Sequence, residues 1–137
     1  MATVELRFSA LPEHVRTARL VAAAVARRAG VDESVLDEVR LAVGEACSRA
    51  VGLHQRAGLT GAVRVALTDQ EKRFLIEVED EAGPLAVPGP GALDDADEDA
   101  LGLAVISGLV EDLEVSAGVS GGLVRMSWPV SVDALAR

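Results

Sequence analysis

The sequence predicts an α+β protein, a two-layer sandwich in which helices cover one face of a mixed, mainly antiparallel sheet. Between residues 12 and 51 apolar side chains recur every three or four positions, the period of amphipathic helices. On either side of that stretch they alternate with polar ones, the period of half-buried strands. The resulting order, β-α-α-β-β-lid-α-β-β, reads as a single domain over residues 1–137, with residues 83–100 as the lid.

The first strand shows the alternation plainly, with Val4, Leu6 and Phe8 interleaved by Glu5, Arg7 and Ser9. Pro12 suits the first turn of a helix, which runs to Ala29 and packs through Val15, Ala18, Ala22, Val25 and Ala29. Gly30 is its stop. Only Gly30 and Val31 separate it from the next helix, so the two form a tight helical hairpin. That second helix, Asp32 to Val51, organises the chain. Asp32 is its N-cap, and Val31 with Leu36 has the spacing of a hydrophobic staple. Leu36, Val39, Val43, Ala46, Cys47 and Ala50 make the packed stripe, while Glu38, Glu45 and Arg49 lie on the other side.

After Val51, GLHQRAGLTG reads as a loop. His14 and His54 have no partner at metal-ligand spacing and are expected on the surface. Two strands follow, joined by a turn at Asp69 to Lys72, with Val63, Val65 and Leu67 inward on one and Phe74, Ile76 and Val78 inward on the other. Counting on by twos reaches Asp80, which aims a carboxylate toward the buried side. Burial demands a partner, whether a backbone donor, a cation or a ligand amine; alternatively the strand frays at Glu79 and Asp80 caps the next turn.

Glycines and prolines between Gly83 and Gly91, then an acidic run from Asp94 to Asp99, give the lid little to bury. LGLAVISGLV reads as a short buried helix from about Leu101, where Gly102 lets the backbone approach an anion at the helix N-terminus. A closing hairpin puts Leu113 and Val115 on one side, turns through Gly118 to Gly122, and ends with Trp128 over a core edge.

Composition excludes several functions. A net charge of −9 disfavours binding to nucleic acid or an anionic membrane. The acidic surface suits a basic protein segment instead. Two Phe, one Trp and no Tyr leave no stacking platform for bases. The single Cys47, on the packed stripe, fits a reducing cytoplasm, and no stretch has the length and polarity of a membrane span or a signal peptide. Abundant Ala, Val, Gly and Arg with little Lys points to a GC-rich genome of the actinobacterial kind.

Three segments, RLAVGEACSRAV at 40–51, VEDEAG at 78–83 and LGLAVISGLVEDLEV at 101–115, together make the chain resemble the anti-sigma-factor serine kinases of the GHKL, or Bergerat-fold, ATPases. The resemblance implies that fold, an ATP or ADP site with Mg²⁺, a sigma factor and a STAS-domain anti-anti-sigma protein as partners, and a homodimer whose seam lies near the first strand. It also implies roles. Glu45 matches the glutamate that polarises the attacking group, and Asp80 the aspartate that receives the adenine amino group. Gly102 and Leu103 match the third motif. Other positions depart from the pattern. Arg49 replaces the asparagine that holds Mg²⁺, Ala82 and Pro84 replace two glycines on either side of Gly83, and Ala100 replaces a phosphate-contacting glycine.

A guanidinium has five donors and no acceptor, so it does not ligate a cation. Arg49 either pairs with Glu45 one turn away or contacts a nucleotide phosphate itself. The resemblance with these departures implies a regulatory protein of bacterial transcription that acts by partner switching with a degenerate ATP site. The alternative is an active kinase that phosphorylates a STAS partner on serine.

Overall fold

The computed structural model describes residues 2–82, 102–110, 112–117 and 121–130. Five strands, β1 (Ala2–Ser9), β2 (Ala62–Gln70), β3 (Arg73–Glu79), β4 (Asp112–Ala117) and β5 (Gly122–Pro129), form one sheet in the order β1-β2-β3-β5-β4. Every pairing is antiparallel, a narrower result than the mixed sheet expected. Three helices, α1 (Glu13–Ala29), α2 (Leu36–Ala57) and α3 (residues 102–109), complete the described chain.

The register explains the core. Val65, Val78 and Val124 lie side by side across three strands, as do Leu67, Ile76 and Met126, and all six are buried. They join one cluster with the packed faces of α1 and α2, including Ala18, Ala22, Val39, Val43 and Cys47. Small side chains dominate where the helices meet: Ala18, Ala22 and Ala26 on α1, Ala42, Ala46 and Ala50 on α2. Such residues bring helix axes close together and lose little side-chain entropy on burial. The opposite face of the sheet carries charges. Arg64 donates to Glu79 at 3.1 Å and lies 3.7 Å from Glu5, and Arg73 reaches Asp112 at 3.0 Å.

The stripe expected on α2 is buried throughout, but the boundaries differ. Asp32 accepts from the Ser34 amide at 2.9 Å and so caps a 3₁₀ turn, Glu33–Val35, before the α-helix proper begins at Leu36. At the other end the segment read as a loop after Val51 is still helical to Ala57, where Gly58 takes the left-handed cap conformation. Gly52 misled the reading because a helix held by tertiary contacts tolerates an interior glycine. Helix α3 is amphipathic rather than buried, with Ile106 inside and Val105 exposed. Trp128, expected at an edge, is only 2 % exposed, and its Nε1–H donates to the Leu109 carbonyl at 3.0 Å, tying β5 to α3. The lid segment 83–100 lies outside the described residues.

Candidate functional site

Two parts of the structure collect the residues singled out in the sequence. The first surrounds Glu45, on the exposed side of α2. A side chain added at Gly102 would begin 3.7 Å from Glu45 Oε2, so this carboxylate faces the first described turn of α3, where Leu103 packs half-buried against the core. On its other side Gly44 lies beneath Arg19 of α1, whose Cδ is 2.8 Å from where a Gly44 Cβ would stand. Glu45 makes no hydrogen bond or ion pair among the described residues, so its expected pairing with Arg49 is not formed. The i, i+4 spacing permits that pair, but Arg49 is half-buried whereas Glu45 points to solvent.

Asp80 forms the second part. It follows directly on β3 and is 2 % exposed. Its Oδ1 accepts from the Ala82 amide at 2.9 Å and the Gly122 amide at 3.2 Å, while its own N–H donates to the Gly122 carbonyl at 3.0 Å. Both sequence alternatives therefore hold at once, since Asp80 is buried and caps its own turn. The first turn of β5 approaches this closely because it has no side chains. A Cβ on Gly121 would stand 2.3 Å from the Asp80 carbonyl oxygen, and one on Gly122 would stand 2.9 Å from Oδ2. Ala82 occupies its position without a positive φ, so the alanine is accommodated on the backbone where the family pattern has glycine. Gly83, Pro84 and Ala100 lie outside the described residues.

His54 stands behind Asp80. Expected on the surface, it is fully buried in the last turns of α2, with Nδ1 3.1 Å from the Gly61 carbonyl oxygen and Nε2 accepting from the Glu81 amide at 2.9 Å. His14 is half-buried with its ring 6.1 Å from that of Phe8. Burial pushes the Cys47 thiol up to about 12, which leaves it an inert core residue.

A third feature was not foreseen. On the outer side of the helical hairpin, Leu20 and Leu41 are 60 % and 55 % exposed and line a groove of about 480 Å³ with Arg16, Arg19, Asp37 and Arg40. An adjoining groove runs along Arg16, Arg19, Gly44 and Ser48 to Glu45. Two exposed leucines ringed by three arginines stand out on a chain with a net charge of −9.

A helical hairpin packs against an antiparallel sheet, and a buried aspartate follows the end of the central strand. Residues 8–128 match the model of the histidine kinase-like ATPase domain, and the chain belongs to that family. Among curated relatives, the serine-protein kinase RsbW of Bacillus pumilus (strain SAFR-032) is 32 % identical over 90 % of this chain and 83 % of that protein. Serine-protein kinase RsbW of Bacillus licheniformis is 29 % identical over 95 % of this chain and 89 % of its own length. Among solved structures, that of the RsbU and RsbW domains of Rv1364c from Mycobacterium tuberculosis superposes with a TM-score of 0.68 at 18 % identity. It covers 93 % of this chain, which spans 32 % of that longer one, and at such identity it supports the fold alone.

The groups of such a site fit this chain unequally. At the base end, Asp80 is a buried acceptor whose Oδ1 is fixed by two backbone donors, and the missing side chain of Gly122 lets β5 approach its carboxylate closely. That arrangement suits an exocyclic amine. At the metal end, Arg49 offers donors only and adds a positive charge, so it does not fit Mg²⁺. No helix among the described residues is long and apolar enough to cross a membrane.

Proposed function

We propose that this protein is a cytoplasmic partner-switching regulator of bacterial transcription, binding a sigma factor and a STAS-domain anti-anti-sigma protein, with Mg·ATP chemistry impaired at Arg49. The observation that carries the reading is the contrast between these two parts of the structure. Asp80 keeps the burial and backbone bonds of a base acceptor, while a guanidinium stands one turn beyond Glu45, where a metal needs an oxygen. Phosphoryl transfer depends on charge neutralisation by metal, so this substitution damages chemistry before it damages fold or binding.

The groove between α1 and α2 supports partner binding. Exposed leucines bordered by Arg16 and Arg19, with Arg40 already paired to Asp37, suit an apolar segment carrying carboxylates on the Arg16 and Arg19 side, which revises the expectation of a basic partner segment. The exposed edge of β1 supports a homodimer seam. A reconstituted transcription assay with RNA polymerase and the cognate sigma factor tests the proposal. Added protein lowers sigma-dependent transcription and the STAS partner restores it; transcription that ignores the protein defeats the reading.

One observation favours the second reading, an active serine kinase. Glu45 has no cation paired with it among the described residues and so keeps the exposure of a group that polarises a hydroxyl. Labelled ATP decides between the two, since phosphoserine on the STAS partner that disappears in Glu45→Ala establishes the kinase.

A further inference from the structure

The geometry points to His54 as a positioning residue that holds the turn carrying Asp80. The inference rests on reading Asp80 as the base acceptor and goes beyond it by naming what sets that acceptor in place.

The hydrogen bonds determine the chemistry of the ring. The Glu81 backbone N–H is a donor, so Nε2 must be the unprotonated nitrogen. The Gly61 carbonyl is an acceptor, so Nδ1 carries the proton. A neutral imidazole in one tautomer therefore joins the end of α2 to the β2 approach on one side and to the Asp80 turn on the other. The attachment is firm at the helix end as well, because the His54 carbonyl accepts from the Leu59 amide at 2.9 Å in the C-terminal cap. At Gly61 itself the end of the exposed Glu81 side chain lies where a Cβ would stand, so that carboxylate folds back over the residue whose carbonyl faces His54.

What His54 holds is continuous with Asp80. The amide it binds belongs to Glu81; the next amide, of Ala82, bonds Asp80 Oδ1, and that same oxygen receives the Gly122 amide of β5. Removing the imidazole acceptor leaves the Glu81 N–H without its bond in a half-buried turn, which is costly enough for the turn to move. Asp80 moves with it.

The test uses the full chain with His54→Phe, which keeps a ring and loses both bonds, and His54→Gln, which keeps one donor and one acceptor. Hydrogen exchange at the Ala82 and Gly122 amides is expected to accelerate at least tenfold in the Phe variant, with α1 unchanged, and to return toward the native rate in the Gln variant. Calorimetric affinity for ADP is expected to follow the same order. Unchanged exchange at those two amides in the Phe variant overturns the proposal, as does native ADP affinity in that variant or a Gln variant no better than Phe. Nitrogen-15 spectra of the native ring stand independent of any variant's folding: a proton on Nε2 contradicts the proposal, and one on Nδ1 alone supports it. If native protein binds no ADP while exchange behaves as expected, His54 still positions the turn and the base-acceptor reading of Asp80 is what fails.

Discussion

Gly121→Ala and Gly122→Ala probe the same close approach with different consequences. Neither glycine has a positive φ, so backbone conformation is no obstacle and only space is at issue. An alanine Cβ at 121 would stand 2.3 Å from the Asp80 carbonyl oxygen and 2.8 Å from two further Glu81 backbone atoms. Comfortable contact is about 3.5 Å or more, so two backbone segments must separate by roughly 1 Å. Backbone on both sides cannot swing away. Overpacking typically costs about 1–3 kcal/mol, and this substitution belongs at the upper end of that range.

At 122 the nearest atoms are the Asp80 carboxylate oxygens at 2.9 and 3.4 Å. A side chain yields more readily, so the stability loss should be nearer 1 kcal/mol, part of it from weakening the charge-assisted bond between the Gly122 amide and Oδ1. The function lost should be greater, because the group that moves is the acceptor itself, and ADP affinity is expected to fall by about tenfold or more. Urea unfolding with a common slope measures the first quantity and calorimetry the second. A Gly121→Ala protein within about 0.5 kcal/mol of native, the range of an ordinary surface substitution, refutes the claim that β5 is packed against the Asp80 turn.

Replacing Leu20 and Leu41 together with Glu should leave thermal stability nearly unchanged, since both are more than half exposed, yet weaken partner binding by about tenfold or more, read by surface plasmon resonance. Unimpaired binding removes the α1–α2 groove as the docking face. Cys47 predicts an alkaline signature. Burial pushes its thiol from an ordinary 9.0 up to about 12, so stability is fully present below pH 9 and declines as the unfolded chain ionises while the folded chain does not. The decline should be about 1.4 kcal/mol per pH unit between those limits, and absent in Cys47→Ala. With no tyrosine in the chain, denaturant midpoints followed across that range isolate the effect, and equal slopes in the two proteins contradict it.

Much of this architecture was legible because its signals are local. The α2 stripe from Leu36 to Ala50 and the inward set Val63, Val65, Leu67, Phe74, Ile76 and Val78 follow from periodicity alone, and all are buried. The inward aim of Asp80 follows from the same count of two. What escaped depends on contacts distant in sequence. His54 looked like a surface residue because nothing nearby satisfies its ring, and its partners, Gly61 and Glu81, meet it only through the fold. Gly121 and Gly122 read as turn residues, although their adjacency was a usable sign of close backbone approach. The helix ran past Val51 because tertiary packing of His54 and the Gly58 cap outweighed the weak propensity at Gly52. The i, i+4 rule proposed an ion pair between Glu45 and Arg49 that is not formed, because Arg49 is engaged elsewhere and the rule sees only spacing along the helix.

Residue 49 is the point on which the account turns, and calorimetric titration of ATP with and without Mg²⁺, on native protein and on Arg49→Asn, addresses it directly. The native chain is expected to show no gain in affinity from magnesium, and the asparagine variant a gain of about tenfold or more once an amide oxygen faces the cation. Micromolar native binding that strengthens with Mg²⁺ and is left unchanged by Arg49→Asn contradicts the account.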